Sequence, residues 1–218
     1  MGDLLRGFTE LPAYGRAAAV VIALYAVQSE VRFGQKARTL LPGSADRGST
    51  LALSLSSLVP VLGFAWAMKR KTGPGRFALP GWLRAMPGMP VIAWIGVAIA
   101  VVGLLVRLWS VLTLRQRYTR TLLTQADQTL ERGGPYRFVR HPGYLGSLLC
   151  LNGIAVASGN LLTAIASLAA TGAAYAYRIH VEDKMLIAQF GAAYESYRRE
   201  VPAVVPSLLP ASKVSSPG

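Results

Sequence analysis

The sequence GGPYRFVRHPGYLG, at residues 133–146, runs directly into an apolar segment and is the most informative stretch of this chain. It sets arginines, a histidine and two tyrosines around two prolines. Polar and charged side chains are costly beside a membrane-length apolar segment, so such a cluster indicates a functional site. A second polar cluster, RIHVED at residues 178–183, follows the next apolar segment. A tight turn at residues 158–160 would reverse the chain between them, so we predict that both clusters meet at one end of a helical pair.

The composition indicates an integral membrane protein. Of the 218 residues, 52% are hydrophobic and 15% are charged, against about 25% charged in a typical soluble domain. The mean hydropathy is +0.38. The apolar residues gather in blocks close to the length that spans a bilayer, about 20 residues. No cleaved signal peptide is expected, because the first 16 residues are mixed and polar.

The apolar blocks predict an all-α membrane bundle of about five transmembrane helices, whose C-terminal pair forms a short hairpin. The segments are residues 17–33, 50–68, 90–114, 143–157 and 161–177. The last is rich in alanine, and small side chains let helices approach closely in lipid, so we expect the fourth and fifth segments to pack as a tight hairpin. We divide the chain into N-terminal transmembrane helices (1–115), a catalytic core (116–206) and a flexible tail (207–218).

The charge pattern predicts the orientation. The net charge is +13, but lysine and arginine lie in the loops between apolar blocks. This fits the positive-inside bias and contact with anionic membrane lipids better than nucleic-acid binding, which we exclude as a partner. With five crossings, fifteen of these residues fall on the side of the first loop, the third loop and the tail, and seven on the other side. We therefore place both polar clusters at the cytoplasmic face of the inner or plasma membrane.

Several classes of site are absent from the sequence. It has no dinucleotide fingerprint and no phosphate-binding loop. With only two histidines, His141 and His180, and one cysteine, Cys150, a dedicated metal site is not expected. Cys150 lies within an apolar segment and is expected to be a small buried hydrophobe. The remaining polar residues are arginines, tyrosines, the His-Pro pair and the acidic pair at 182–183.

These residues match a known family. GGPYRFVRHPGYLG resembles the signature of the isoprenylcysteine carboxyl methyltransferases and their bacterial homologues, which are related to the phospholipid methyltransferases. Arg178-x-x-x-Glu182-Asp183, followed by FG-x-x-Y-x-x-Y at residues 190–197, is similar to that family's C-terminal block. The resemblance covers residues 118–206. The chain carries Asp183 where the family usually has a second glutamate, so this carboxylate is one methylene shorter.

The resemblance implies an S-adenosylmethionine-dependent methyltransferase whose cofactor binds at the cytosolic membrane face, outside any Rossmann fold. It implies Arg178 and Glu182 as catalytic residues, Arg178 as the clamp of the acceptor. A carboxylate can hold the cofactor's amino group or ribose, arginine its carboxylate, and aromatic faces its sulfonium. The residues implied for the cofactor are Gly134, Pro135, Tyr136, Arg140, His141, Pro142, Tyr144, Glu182, Asp183, Tyr194 and Tyr197.

The acceptor is expected to be a lipophilic small molecule or a lipidated substrate. A carboxylate acceptor is already an anion and needs mainly positioning and exclusion of water. If the acceptor is an amine, as in N-methylation of an aminophospholipid, a base is needed, with His141, Glu182 or Asp183 as candidates. An NADPH-dependent reductase of the sterol-reductase type and a non-catalytic membrane scaffold are the other hypotheses. The sequence makes no prediction of an oligomeric state.

Some residues admit two interpretations. Arg137 and Arg140 are consistent with a role in the functional site or with anchoring to lipid headgroups. Tyr194 and Tyr197 lie on one helical face, where packing and cofactor contact are both consistent with the spacing. Arg107, within the third segment, fits either snorkelling to the membrane surface or an inward contact. His180 is expected to face water or headgroups, and residues 118–132 to form an interfacial connector.

Overall fold

The structure, a computed structural model, describes residues 8–31, 47–69, 89–114 and 130–205. These ranges hold six α-helices of nine residues or more, one 3₁₀ turn and no β-strand, which confirms the all-helical prediction for this part of the chain. The helices are α1 (Ala13–Val31), α2 (Ser49–Lys69), α3 (Met89–Leu114), α4 (Pro142–Ala157), α5 (Leu161–Phe190) and α6 (Ala192–Glu200), with the 3₁₀ turn (Gly134–Arg137) between α3 and α4. The predicted tail and most of the predicted connector lie outside the described residues.

Each of the five predicted apolar segments contains a helix, but the helices differ in their capacity to cross a membrane. Among the described residues, α2 and α3 are long and apolar enough to do so, with mean hydropathies of 1.8 and 2.5 over 18 residues. Helices α1 and α4 are apolar but shorter. The outer faces of α2 and α3 expose leucine and tryptophan; Leu51, Leu62 and Trp94 are 61%, 61% and 45% exposed. Apolar surface of this extent fits lipid contact. The count of five crossings stays a prediction.

Helix α5 is longer than the predicted segment. The apolar stretch ends near residue 177, but the helix continues to Phe190 and has 30 residues, about 45 Å at 1.5 Å per residue. Its N-terminus is defined by two features. Gly159 adopts a φ of +65°, and the side chain of Asn160 caps the helix by accepting a hydrogen bond from the Thr163 amide at 2.9 Å. The polar cluster at 178–183 is therefore carried on the helix itself, which fixes its side chains.

The tightest helix contact is between α3 and α4. Glycines of the two helices face each other: a Cβ added at Gly146 would lie 2.6 Å from the Gly103 carbonyl oxygen, and one at Gly153 would lie 2.6 Å from that of Gly96. Of the alanines in residues 164–176 of α5, Ala169, Ala173 and Ala176 are exposed, Ala174 is buried and the other three are half-buried. Small size allows close approach only where the residues face a partner.

Helices α4 and α5 do form the expected hairpin, joined by a polar contact within the bundle. The Asn152 side chain on α4 donates to Thr171 Oγ1 and accepts from Ser167 Oγ, both at 3.0 Å. Ser167 and Thr171 are fully buried. In an apolar surrounding, such interhelical hydrogen bonds fix the register of two helices.

The bundle has an apolar end and a polar end. The apolar core contains Ala18, Val21, Phe64, Val97, Ala100, Cys150, Ile154 and Ala157, so Cys150 is buried as predicted. At the opposite end, Arg107 near the end of α3 reaches the start of α4, and Arg178 of α5 reaches Ser49 at the start of α2. The start of α2, the end of α3, the start of α4 and the part of α5 around Arg178 thus lie at the same end of the bundle.

Substitution of the contact glycines tests this packing. Gly153→Ala should lower the free energy of unfolding by about 1–3 kcal/mol, because the new methyl group would force α3 and α4 apart. Gly172→Ala is the matched control on α5, since a Cβ there meets nothing within 4 Å. It should raise stability by up to about 1 kcal/mol through helix propensity. Unfolding in detergent followed by circular dichroism measures both, and equal effects would contradict the packing described.

Candidate functional site

The motif turn before α4 is fixed against the end of α3. Gly134 adopts a φ of +54°, and a Cβ there would lie 2.9 Å from Thr113 Oγ1, so a larger residue would be both strained and obstructed. Pro135 follows as the second residue of the turn and is buried. The Tyr136 hydroxyl lies 2.8 Å from Ser110 Oγ. Gly134, Pro135 and Tyr136 therefore set the path of the chain into the His-Pro pair.

The two predicted polar clusters meet, as expected, and Asp183 lies at their centre. Arg140 Nη1 donates to both carboxylate oxygens of Asp183 at 2.9 Å, and His141 Nε2 lies 3.0 Å from Oδ1. The Tyr194 hydroxyl donates to the same oxygen at 2.5 Å. The side chains of Arg140, Asp183 and His141 are only 8%, 11% and 4% exposed. We refer to these four residues as the Asp183 cluster.

The Asp183 cluster is charged at neutral pH. Burial alone would raise the pKa of Asp183, but hydrogen bonds from His141, Tyr194 and Arg140 outweigh burial and hold that pKa well below its usual value. Burial likewise opposes the charge of Arg140, yet its hydrogen bond to Asp183 leaves its pKa raised. Burial and the neighbouring Asp183 carboxylate raise the pKa of Tyr194, so its hydroxyl remains a donor. The cluster is a buried ion pair with its hydrogen-bonding partners in place.

A second group of three residues, the Glu182 cluster, lies beside the first. The Tyr144 hydroxyl donates to Glu182 Oε2 at 2.5 Å and accepts from Arg178 Nε at 3.0 Å. Glu182 keeps 23% of its side chain exposed, and Oε1 makes no hydrogen bond within the described residues. Glu182 is therefore the carboxylate of the pair that can still accept a hydrogen bond from a ligand.

Arg178 is enclosed by hydroxyl groups from two helices. It is 3% exposed, and besides Tyr144 its Nη1 donates to Ser49 Oγ at 2.7 Å and to Thr50 Oγ1 at 3.0 Å. Ser49 and Thr50 are the first residues of α2, so the guanidinium links α5 to the start of α2. These partners could not be predicted, because single hydroxyl residues at the edge of an apolar segment carry no positional signal.

An aromatic column connects the two clusters. The His141 ring stacks on Tyr144 with centroids 5.4 Å apart and an interplanar angle of 9°. Tyr144 meets Tyr175 edge-to-face, also at 5.4 Å. Tyr175 was not predicted, although it lies one helical turn before Arg178 and an inward aromatic at that spacing could have been considered. The rings hold His141 and Tyr144 in fixed orientations.

The C-terminal residues hold the motif in place. The Arg140 and His141 amides donate to the carbonyls of Pro202 and Ala203 at 2.8 and 2.9 Å. Tyr197 is 2% exposed, and its hydroxyl donates to the Tyr136 carbonyl at 2.5 Å. Burial raises its pKa to about 12, so it remains a donor. Tyr194 and Tyr197 both face protein, which matches the packing interpretation of their spacing.

The structure shows where the residues that allowed two interpretations lie. Arg107 faces into the bundle, where Nη1 donates to Ser147 Oγ at 2.7 Å and the guanidinium lies 5.2 Å from the Tyr25 ring centroid. Arg137 is exposed and stacks on the neighbouring Phe138 ring, apart from both clusters. His180 is exposed, as expected.

Comparison with known proteins identifies the family of this chain. The model of the isoprenylcysteine carboxyl methyltransferase (ICMT) family matches residues 94–188, which include both clusters except Tyr194. The chain is 32% identical over 198 residues to methanethiol S-methyltransferase 2 of Bradyrhizobium diazoefficiens, covering 87% of this chain and 72% of that protein.

Relatives named for isoprenylcysteine methylation match over shorter stretches. The chain is 33% identical over 80 residues to protein-S-isoprenylcysteine O-methyltransferase of Schizosaccharomyces pombe, covering 37% of this chain and 34% of that enzyme. It is 30% identical to the B enzyme of Arabidopsis thaliana, covering 55% and 64%. The chain thus spans between about a third and two thirds of these relatives. The solved structure of the eukaryotic intramembrane Ras methyltransferase ICMT shares the fold, with a TM-score of 0.53 at 20% identity, covering 77% of this chain and 69% of that one.

Proposed function

Because this chain belongs to the isoprenylcysteine carboxyl methyltransferase family, we propose that it transfers a methyl group from S-adenosylmethionine to the carboxylate of a lipophilic, isoprenylcysteine-like acceptor. We place the reaction at the polar end of the bundle, facing the cytoplasm. The lysine and arginine distribution over the loops supports that orientation. The exposed apolar faces of α2 and α3 support entry of an amphiphilic acceptor from the lipid.

The observation that carries the proposal is the Glu182 carboxylate, which keeps one oxygen without a hydrogen bond beside a fixed aromatic column. The residues fit the cofactor: Glu182 can accept from an amino group or from ribose hydroxyls, and the face of Tyr144 suits a cation. When bound, S-adenosylmethionine would supply a methyl group on a sulfonium, already an electrophile. The chain's own contribution is to bind, orient and exclude water.

The acceptor would be positioned by Arg178. Its buried charge is held by the hydroxyls of Ser49 and Thr50, so it can attract a carboxylate without reorganising. Because Arg178 is already hydrogen-bonded to neutral hydroxyls, it would hold an acceptor carboxylate less tightly than a direct ion pair would. A tight ion pair would reduce the nucleophilicity of the acceptor oxygen. A carboxylate needs no base at neutral pH.

The other predicted cofactor residues are assigned to shaping the site. Arg140 and Asp183 satisfy each other, so we propose that they orient the His-Pro pair and do not bind the cofactor directly. Tyr194 and Tyr197 would act in the same way through Asp183 and Tyr136. Gly134, Pro135 and Pro142 would fix the loop backbone that borders the cofactor.

A thiol is the second candidate acceptor. The relative that aligns with 87% of this chain is named for S-methylation of methanethiol. The charges near the site are balanced, since Arg140 pairs with Asp183 and Arg178 is bridged to Glu182 through the Tyr144 hydroxyl. A balanced site suits a neutral acceptor as well as an anionic one. Among the relatives named above, none favours amine methylation or NADPH-dependent reduction.

The test is methyl transfer by the purified protein in detergent from S-adenosylmethionine with a labelled methyl group. Prenylated cysteine, extracted membrane lipids and a small alkanethiol are offered separately. A base-labile methyl ester is the expected product, a base-stable thioether marks the second candidate, and a stable methylamine marks amine methylation. Loss of labelling in Glu182→Gln but not in Glu195→Gln, an exposed glutamate of α6, would assign the reaction to this site. No labelled product from any acceptor would overturn the proposal.

A further inference from the structure

The two ring nitrogens of His141 have different surroundings. Nε2 lies 3.0 Å from Asp183 Oδ1. Because Asp183 is ionised and can only accept, Nε2 carries a proton, and in the neutral ring Nδ1 presents the lone pair. Within the described residues, Nδ1 makes no hydrogen bond, and its nearest charged neighbour is Glu182 Oε2 at 3.7 Å. The His141 side chain keeps 4% of its surface exposed.

This is the geometry of an oriented base. The carboxylate at Nε2 fixes the tautomer of the neutral ring, stacking on Tyr144 fixes the ring plane, and Nδ1 lies 3.7 Å from Glu182 Oε2. A carboxylate acceptor has no use for such a base, because it is already ionised. An alkyl thiol does, since a thiol with a pKa near that of cysteine, about 8.5, is only a few per cent ionised at pH 7.

We propose that His141 is the proton acceptor for a thiol substrate, acting through Nδ1 and oriented by Asp183, so that thiols are a substrate class of this site. The inference rests on the proposed methyl transfer, in its thiol form. The S–H bond of the thiol breaks and its proton moves to Nδ1. The sulfur electron pair forms the new bond to the methyl carbon, while the pair of the breaking C–S bond stays on the sulfur of the methylsulfonium donor. The proton then passes from His141 to water.

The charged groups around His141 favour this step. Glu182 and Asp183 of α5 face the two nitrogens and stabilise the imidazolium that forms. Arg140 and the α6 residue Tyr194 contact Asp183 from the other side and keep it ionised. Tyr144 of α4 stacks on the ring and Arg178 lies beyond its hydroxyl. The proton therefore enters a site with a carboxylate on each side of the ring.

The experiment compares acceptors of graded acidity. His141→Gln is the variant, because the glutamine amide can replace Nε2–H toward Asp183 but cannot take a proton. With an alkanethiol, kcat/KM at pH 7 should fall on the order of 10²–10⁴-fold. With an acidic aryl thiol, which is ionised without help, the loss should be smaller by on the order of tenfold or more. His180→Gln, at an exposed position of α5, is the matched control and should behave as wild type with both.

A measurement without turnover accompanies the kinetics. With the demethylated cofactor product bound, wild-type protein should show the ultraviolet band of a thiolate on addition of an alkanethiol, and His141→Gln should not. Equal losses with alkyl and aryl thiols would show that His141 only positions the substrate and would overturn the proposal. Absence of the thiolate band in wild-type protein would do so even if the variant failed to fold. A protein that methylates prenylated cysteine but no thiol would retain the proposed function and lose this inference.

Discussion

Replacing Glu182 with glutamine should weaken the binding of S-adenosylmethionine by roughly 10- to 100-fold, which corresponds to the loss of one charge-assisted hydrogen bond of about 1.5–3 kcal/mol. The helices should remain folded. The glutamine carbonyl can still accept from Tyr144, and the side chain is 23% exposed. Isothermal calorimetry in detergent measures the affinity, and circular dichroism the fold.

Glu195→Gln provides the control, because Glu195 is exposed in the first turn of α6. It removes the same charge from the protein without touching either cluster. If both variants lost affinity equally, the effect would be one of net charge. If Glu182→Gln bound the cofactor as wild type does, Glu182 would not be its ligand.

Asp183→Asn should destabilise the protein by about 3–5 kcal/mol. The substitution leaves Arg140 buried without its carboxylate, and an uncompensated buried charge is among the most costly changes in a protein. The amide also cannot accept from Arg140, His141 and Tyr194 as the carboxylate does. Thermal or denaturant unfolding in detergent measures the loss. Glu200→Gln is the control, since Arg132 and Glu200 form an ion pair that is 45% and 50% exposed, worth about 0–1 kcal/mol.

The same carboxylate gives a pH dependence. The pKa of Asp183 is lowered in the folded state, so its contribution to stability is complete above its unfolded pKa of about 3.9 and is lost as the pH falls toward the folded value. Wild-type protein should therefore lose stability below about pH 4 more steeply than Asp183→Asn. Parallel acid-unfolding curves for the two proteins, or a small effect of the substitution at pH 7, would contradict the role of the Asp183 cluster.

The meeting of the two polar clusters was predictable from the sequence, for a physical reason. Charged residues cannot remain in lipid without partners, and the Gly159 turn leaves one arrangement in which the two sets of charges satisfy each other. The motif and the acidic pair are separated along the chain by two apolar helices and a turn. This order therefore determines that the two polar clusters meet. The family resemblance rested on the same residues.

The different contacts of the two acidic residues were not predictable from the sequence. Both Glu182 and Asp183 were assigned to the cofactor, yet the structure engages Asp183 with three protein donors and leaves one oxygen of Glu182 unbound. Adjacent helical residues point about 100° apart, so only one can face the His-Pro pair directly. Which of them does so depends on the rotation of α5, and that is set by its packing against α2 and α4.

The helix packing was beyond the sequence for a similar reason. Alanines on α5 and glycines on α3 and α4 are both small, and composition does not show which of them face a partner. Gly103 and Gly146 face each other across α3 and α4, whereas Ala173 of α5 is exposed. Arg178 donates hydrogen bonds to Ser49 and Thr50, which lie about 130 residues away in sequence. No local sequence pattern links Arg178 to these two residues.

Stabilisation of the purified protein by its cofactor tests the central claim most directly. S-adenosylmethionine or its demethylated product, present at about 100 times its Kd, should raise the free energy of unfolding by about 2.7 kcal/mol, and NADPH should not. The increase should shrink in Glu182→Gln and persist in Glu195→Gln. An unfolding curve that neither S-adenosylmethionine nor its product moves would contradict the account.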